Sequence, residues 1–227
     1  NDMSALTEME TDLSLNEEYK ALVRSLRRTR GFRLLFVQCS PYRGEEIIRE
    51  VRKDLSQKTV EVMRLEEHID DLYTRVSHLP NRDRIEILFI SGLEHSLAEY
   101  EVLKLAKGWG TEEIYGYSWK GVPKILSHLN QQRERFRDDF QMCFVFLVPA
   151  FIIDYFVRRA SDFFDWRSNF FELPSDLEFV SNWSGQIIQC GDFQKYQYLT
   201  DYETRQKFFE IQDLLAEPDL ELRAKAD

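Results

Sequence analysis

Three short stretches of this chain are almost free of polar side chains: FRLLFVQ at 32–38, the centre of RIEILFISGLE at 84–94, and QMCFVFLVP at 141–149. A strand with one face in water alternates polar and apolar residues, because successive side chains point to opposite faces. Runs that are apolar at nearly every position belong instead to strands covered on both sides, as in parallel sheets flanked by helices. The segments between the runs carry the helical period. EEIIREVRKDL follows the first run, and AFIIDYFVRRASDFF follows the third. VPKILSHLNQQRERFRDDF at 122–140 sets Ile125, Leu126, Leu129 and Phe136 along one side. A weaker strand, TVEVMRLEE at 59–67, precedes a helix, IDDLYTRVSHL, that Pro80 ends. NFFELP at 169–174 reads as a last short strand. The alternation βαβαβαβαβ predicts an α/β fold: a three-layer αβα sandwich around a mainly parallel sheet of about five strands, with right-handed crossovers.

Outside that repeat the pattern changes. Residues 1–15 are polar and acidic and are expected to be flexible, while LNEEYKALVRSLRRTRG reads as a helix with Asn16 as its N-cap. Residues 16–174 then form the α/β domain. The stretch 98–121 is mixed, with Gly108-Trp109-Gly110 and Tyr115-Gly116-Tyr117 pointing to a loop. Residues 175–227 are irregular and then helical; YETRQKFFEIQDLLAEPD is a clear helix, and LELRAKAD starts a helical pattern that stops. This C-terminal extension is expected to connect to a further domain.

Composition narrows the function classes. With 17 Phe, 10 Tyr and 4 Trp the chain can bury a large core, and a formal net charge of −10 argues against a sequence-blind nucleic-acid binder. Its one basic cluster, Arg24, Arg27, Arg28 and Arg30, reads most simply as the solvated side of a helix. The longest apolar stretch, 143–157, is interrupted by Pro149 and Asp154 and is too short for a bilayer. Cys39, Cys143 and Cys190 are far apart with no ligand spacing, which fits a reducing cytoplasm. His68, His78, His95 and His128 show no metal-binding spacing, and no nucleophile elbow is present.

The first strand leads into CSPYRGEE, residues 39–46. Strand, turn and helix is the setting of phosphate-binding loops, and the pattern GxxxxGK[ST] laid over it puts Cys39 and Gly44 on the two glycines. Ser40, Pro41, Tyr42 and Arg43 fill the loop between them, and Glu45 and Glu46 replace the lysine and the hydroxyl residue. A carboxylate about 4 Å from a phosphate charge costs roughly 4 kcal/mol at an effective dielectric near 20. That is about three decades of affinity before the missing ammonium is counted. The third strand offers Ser91 and Gly92 where an acidic motif would place a magnesium-binding Asp, with Glu94 just beyond. Trp166 and Arg167, in DWRS, have two readings: packed at the sheet edge with the arginine paired to an acid, or facing a partner.

The order of these features resembles that of P-loop signalling NTPases, the STAND group of the AAA-like superfamily. GFRLLFVQCS, ILFISGLE and the stretch from LNQQRERFRDDF through DWRSNFFEL are similar to the NTPase-like domain that precedes tetratricopeptide repeats in cyanobacterial and other bacterial signalling proteins. The resemblance implies sheet order 5-1-4-3-2. It also implies a cytoplasmic domain that works through protein partners, a following repeat domain among them, without nucleic acid or membrane, and with self-association open. The departures at Cys39, Glu45, Glu46 and Ser91 imply no catalysis and no cofactor. Two alternatives stand beside it. One is a nucleotide-binding switch in which Arg43 replaces the lysine and Glu94 lies near Mg²⁺, with ATP as ligand. The other is a different α/β module, flavodoxin-like or TIR-like, whose sheet would run 2-1-3-4-5.

Overall fold

The computed structural model describes residue 13 and residues 16–97 and 123–174. The mixed stretch after residue 97, the C-terminal extension and, apart from Leu13, the N-terminal segment lie outside the described residues. Leu13 itself is fully buried.

Helix α1 (Glu17–Arg28) is capped by Asn16, whose Oδ1 accepts the N–H groups of Glu18 and Tyr19 at 2.8 and 3.2 Å. Strand β1 (Arg33–Gln38) and helix α2 (Pro41–Asp54) follow, then β2 (Val60–Arg64), the short helix α3 (Leu72–Ser77) and β3 (Ile87–Ser91). After the undescribed stretch come α4 (Lys124–Asp139), β4 (Cys143–Val148), α5 (Ala150–Arg159), α6 (Ser161–Asp165) and β5 (Asn169–Glu172). The five strands form one sheet in the order β2-β3-β4-β1-β5, and every neighbouring pair is parallel.

The three most apolar runs of the sequence are the three inner strands, as their composition requires. β4 is central, paired to β1 over six residues from Arg33↔Cys143 to Gln38↔Val148, and to β3 from Ile87↔Cys143 to Ile90↔Phe146. The period of two then sorts side chains by face. Leu34, Phe36, Leu88, Ile90, Phe144, Phe146 and Val148 meet the apolar sides of α3 to α6. Leu35, Val37, Ile87, Phe89, Val145 and Leu147 meet α1 and α2. The first face is built on rings: Phe36 stacks on Phe146 at 5.0 Å and takes the edges of Phe156 and Phe164 at 4.9 and 4.8 Å.

Three helices depart from the sequence-based bounds, each for a local reason. α2 starts at Pro41 rather than at Glu45. Ser40 caps it, and a proline fits the first helical position because that N–H has no intrahelical acceptor. α3 is only six residues long because Asp71 takes the cap, accepting the Thr74 N–H at 3.1 Å. AFIIDYFVRRASDFF is not one helix. The backbone opens at Ala160 (φ −137°, ψ 42°), and Asn130 Oδ1 of α4 accepts the Phe163 N–H at 2.8 Å to start α6.

Phe36→Ala removes a ring that is fully buried among four others, a deletion that costs about 3–5 kcal/mol. Urea unfolding followed by circular dichroism should show a midpoint shift of that size with an unchanged slope.

Candidate functional site

In open parallel sheets ligands sit beyond the carboxyl ends of the strands. Here that end gathers both motif segments. The connection from β1 to α2 is two residues long, Cys39 and Ser40. Cys39 extends the sheet ladder by donating its N–H to Val148 O at 3.0 Å. Ser40 then ties down the first turn: its Oγ accepts the Arg43 N–H at 3.1 Å and its carbonyl accepts the Gly44 N–H at 2.9 Å. Pro41 has no N–H to give. A phosphate loop needs a run of backbone amides turned outward into a shared concavity. Of the four residues 41–44, Pro41 has no amide to offer and those of Arg43 and Gly44 are turned back onto Ser40.

The charged residues at this junction pair among themselves. Arg43 and Glu46 are one turn apart on α2, both almost wholly buried, with Nη1 and Oε2 at 2.7 Å. Glu45 faces outward and accepts two hydrogen bonds from Arg64 at the end of β2, 2.8 Å from Nε and 2.6 Å from Nη2. Such a fork matches a guanidinium to a carboxylate. Gly44 faces β4 without being required there: a Cβ on it would lie 3.4 Å from Leu147 Cδ1 and 3.6 Å from Cys39 Sγ, both ordinary contacts.

The end of β3 is equally closed. Ser91 O accepts the Leu65 N–H at 2.9 Å. Gly92 takes φ +81°, and a Cβ on it would sit 2.4 Å from Leu65 O, so only glycine fits this approach of the β3 and β2 ends. The next turn (Leu93–Ser96) carries Glu94 and His95, both buried, and Ser96, whose Oγ accepts the Ile69 N–H at 3.0 Å.

The two sequence motifs thus meet at one cavity. Cys39, Ser40, Pro41, Gly44 and Glu45 line it from one side and Ser91, Gly92 and Glu94 from the other, whereas Tyr42, Arg43 and Glu46 point elsewhere. Its volume is about 30 Å³. That space suits a water molecule, whereas small-molecule sites run to roughly 300–1,000 Å³. Arg64 and His95 also line it and were not singled out from the sequence. His95 adjoins Glu94, but Arg64 lies 19 residues from Glu45, and only the sheet order brings the two together. Among the described residues no three His, Cys, Asp or Glu side chains are grouped to hold a metal ion, and no helix is long and apolar enough to cross a membrane.

Trp166 and Arg167 lie apart from the cavity. Trp166 is partly buried at the edge of the ring-lined core, with the guanidinium carbons of Arg133 and Arg137 5.9 and 5.3 Å from its ring. Arg167 lies over Phe164 at 4.1 Å, donates to Phe164 O at 3.0 Å, and sits 3.6 Å from Asp165.

No family model matches the chain, and no curated protein matches it.

Glu46→Ala removes the carboxylate paired with the buried Arg43 guanidinium, and breaking a buried pair from one side costs about 3–5 kcal/mol. Replacing both, as in Arg43→Met with Glu46→Leu, should leave stability near or above that of the parent. Chemical denaturation of the single and double variants checks the contrast.

Proposed function

We propose that this chain is an NTPase-fold α/β domain without nucleotide chemistry, acting through contacts with protein partners as part of a larger signalling protein. The observation that carries the reading is the closed β1–α2 junction. A two-residue connection, amides engaged by Ser40, and carboxylates already paired with Arg43 and Arg64 leave no cradle for a triphosphate. The sheet supports the NTPase comparison: read from β5 its order is 5-1-4-3-2, with helices packed on both faces as the three layers require. A flavodoxin-like or TIR-like module would run 2-1-3-4-5. The nucleotide-switch alternative needs Arg43 at the phosphates, and Arg43 is buried against Glu46.

The closed junction refines the electrostatic argument from sequence. A reversed charge alone could be repaired by restoring the lysine and the hydroxyl residue; a helix that begins at Pro41 could not. Titration of the ¹⁵N-labelled protein with Mg-ATP and Mg-GTP should leave the amides of Tyr42 to Glu46 unmoved; saturable shifts there at micromolar nucleotide would overturn the proposal. The variant Glu45→Lys with Glu46→Thr, which restores the consensus residues, should be equally silent at those amides. Binding gained by that variant would mean that charge, not backbone geometry, is the barrier.

A further inference from the structure

The opposite end of the sheet, where the loops enter the strands, holds a cavity of about 410 Å³, more than ten times the volume of the one at the carboxyl end. Arg27 lines it from the last turn of α1, Arg30 from the α1–β1 connection, Lys58 and Glu86 from the residues before β2 and β3, and Gln141 from the residues before β4. Lys58 and Glu86 are a structural tie. The Lys58 ammonium reaches Glu86 Oε1 at 2.9 Å and Thr29 O at 3.1 Å, and Glu86 Oε2 accepts the Thr59 N–H at 3.0 Å. The one carboxylate of the cavity is therefore committed to the lysine.

Among the described residues neither Arg27 nor Arg30 takes part in an ion pair or a side-chain hydrogen bond. Eight arginines elsewhere, including Arg43, Arg64 and Arg75, have a carboxylate within 4 Å. Arg28 and Arg84 likewise have none among the described residues, and all four are exposed; what sets Arg27 and Arg30 apart is that they line a cavity whose one carboxylate is tied to a lysine. The α1 macrodipole accounts for part of this, since a cation in the last helical turn faces the carbonyl end. It accounts for Arg27. Arg30 lies beyond the C-cap Thr29, and it is followed by Gly31, whose φ of +69° turns the chain toward β1 and brings its backbone close to Gln141.

We propose that this cavity binds the phosphate group of a small phosphorylated ligand. Planar guanidiniums present paired donors that match the oxygens of a tetrahedral dianion. The volume lies within the range of small-molecule sites, and the polar lining favours an anionic head over an apolar body. The site is at the far end of the sheet from the closed junction and does not depend on it. The basic cluster of the sequence thereby acquires a role beyond solvating a helix.

The test is a titration of the ¹⁵N-labelled protein with inorganic phosphate, pyrophosphate and O-phosphoserine, followed at the amides of Arg30, Gly31 and Lys58. Saturable shifts confined to that end are expected, with pyrophosphate tighter than phosphate and affinity falling as salt rises from about 50 to about 200 mM. Arg27→Ala with Arg30→Ala should weaken binding at least about tenfold with an unchanged melting temperature, while Arg75→Ala, a distant surface control, should leave it intact. Binding of phosphate and O-phosphoserine alike assigns the site to a phosphoester; binding of phosphate alone assigns it to the free ion. Equal shifts with sodium chloride, no saturation with any of the three, or binding that survives the double substitution would overturn the proposal.

Discussion

β1 and β4 lie side by side over six residues with every β4 side chain buried, and that pairing sets the terms for the rest of the domain. A strand with no face in water must be covered twice, so helices are needed on both sides of the sheet. Parallel neighbours must be joined by crossovers, so the helices come from the connections. β3 completes the inner trio on the far side of β4, and the less apolar β2 and β5 are left as edges. The positions of Ser40, Glu45, Ser91 and Glu94 follow, because Ser91 ends β3, Ser40 and Glu94 come soon after strand ends, and Glu45 lies in the first turns of the helix that β1 feeds.

Much of this architecture was legible. Apolar runs identified the inner strands because double-sided burial leaves an unbroken signature, and Asn16 announced the start of α1 through a cap whose chemistry is local. What escaped was non-local. The break at Ala160 depends on Asn130, which reaches α6 from α4 and could not be inferred from the even helical pattern of residues 150–164. The start of α2 at Pro41 was hidden differently: a proline and a glycine close together read as a turn, yet here one sits at the first helical position and the other lies within the helix. The candidate site was half legible. Its two motif segments were found from spacing, but Arg64 enters only through the β2–β3–β4 order.

The junction between β1 and α2 shows two ways of accommodating carboxylates at a helix start. Glu46 is buried and must have its arginine, because a lone charge in that setting is costly to desolvate. Glu45 is half exposed, and its pairing with Arg64 is of the kind that contributes at most about 1 kcal/mol. The inner pair therefore holds the geometry, and the outer pair lines the small cavity with little energetic commitment.

The two faces of the sheet differ in a way that reaches beyond packing. Among the described residues, eight buried phenylalanines lie on the side of α3 to α6, against two on the side of α1 and α2. Leu34, Ile90 and Val148 share the first core with those rings, so methyl signals from that layer are the ones that ring currents should displace. Loosening of that layer would scatter those signals toward ordinary frequencies, whereas detachment of α1 would hardly disturb them. The molecule thus carries an internal magnetic label that tells which of its two helical layers has come away.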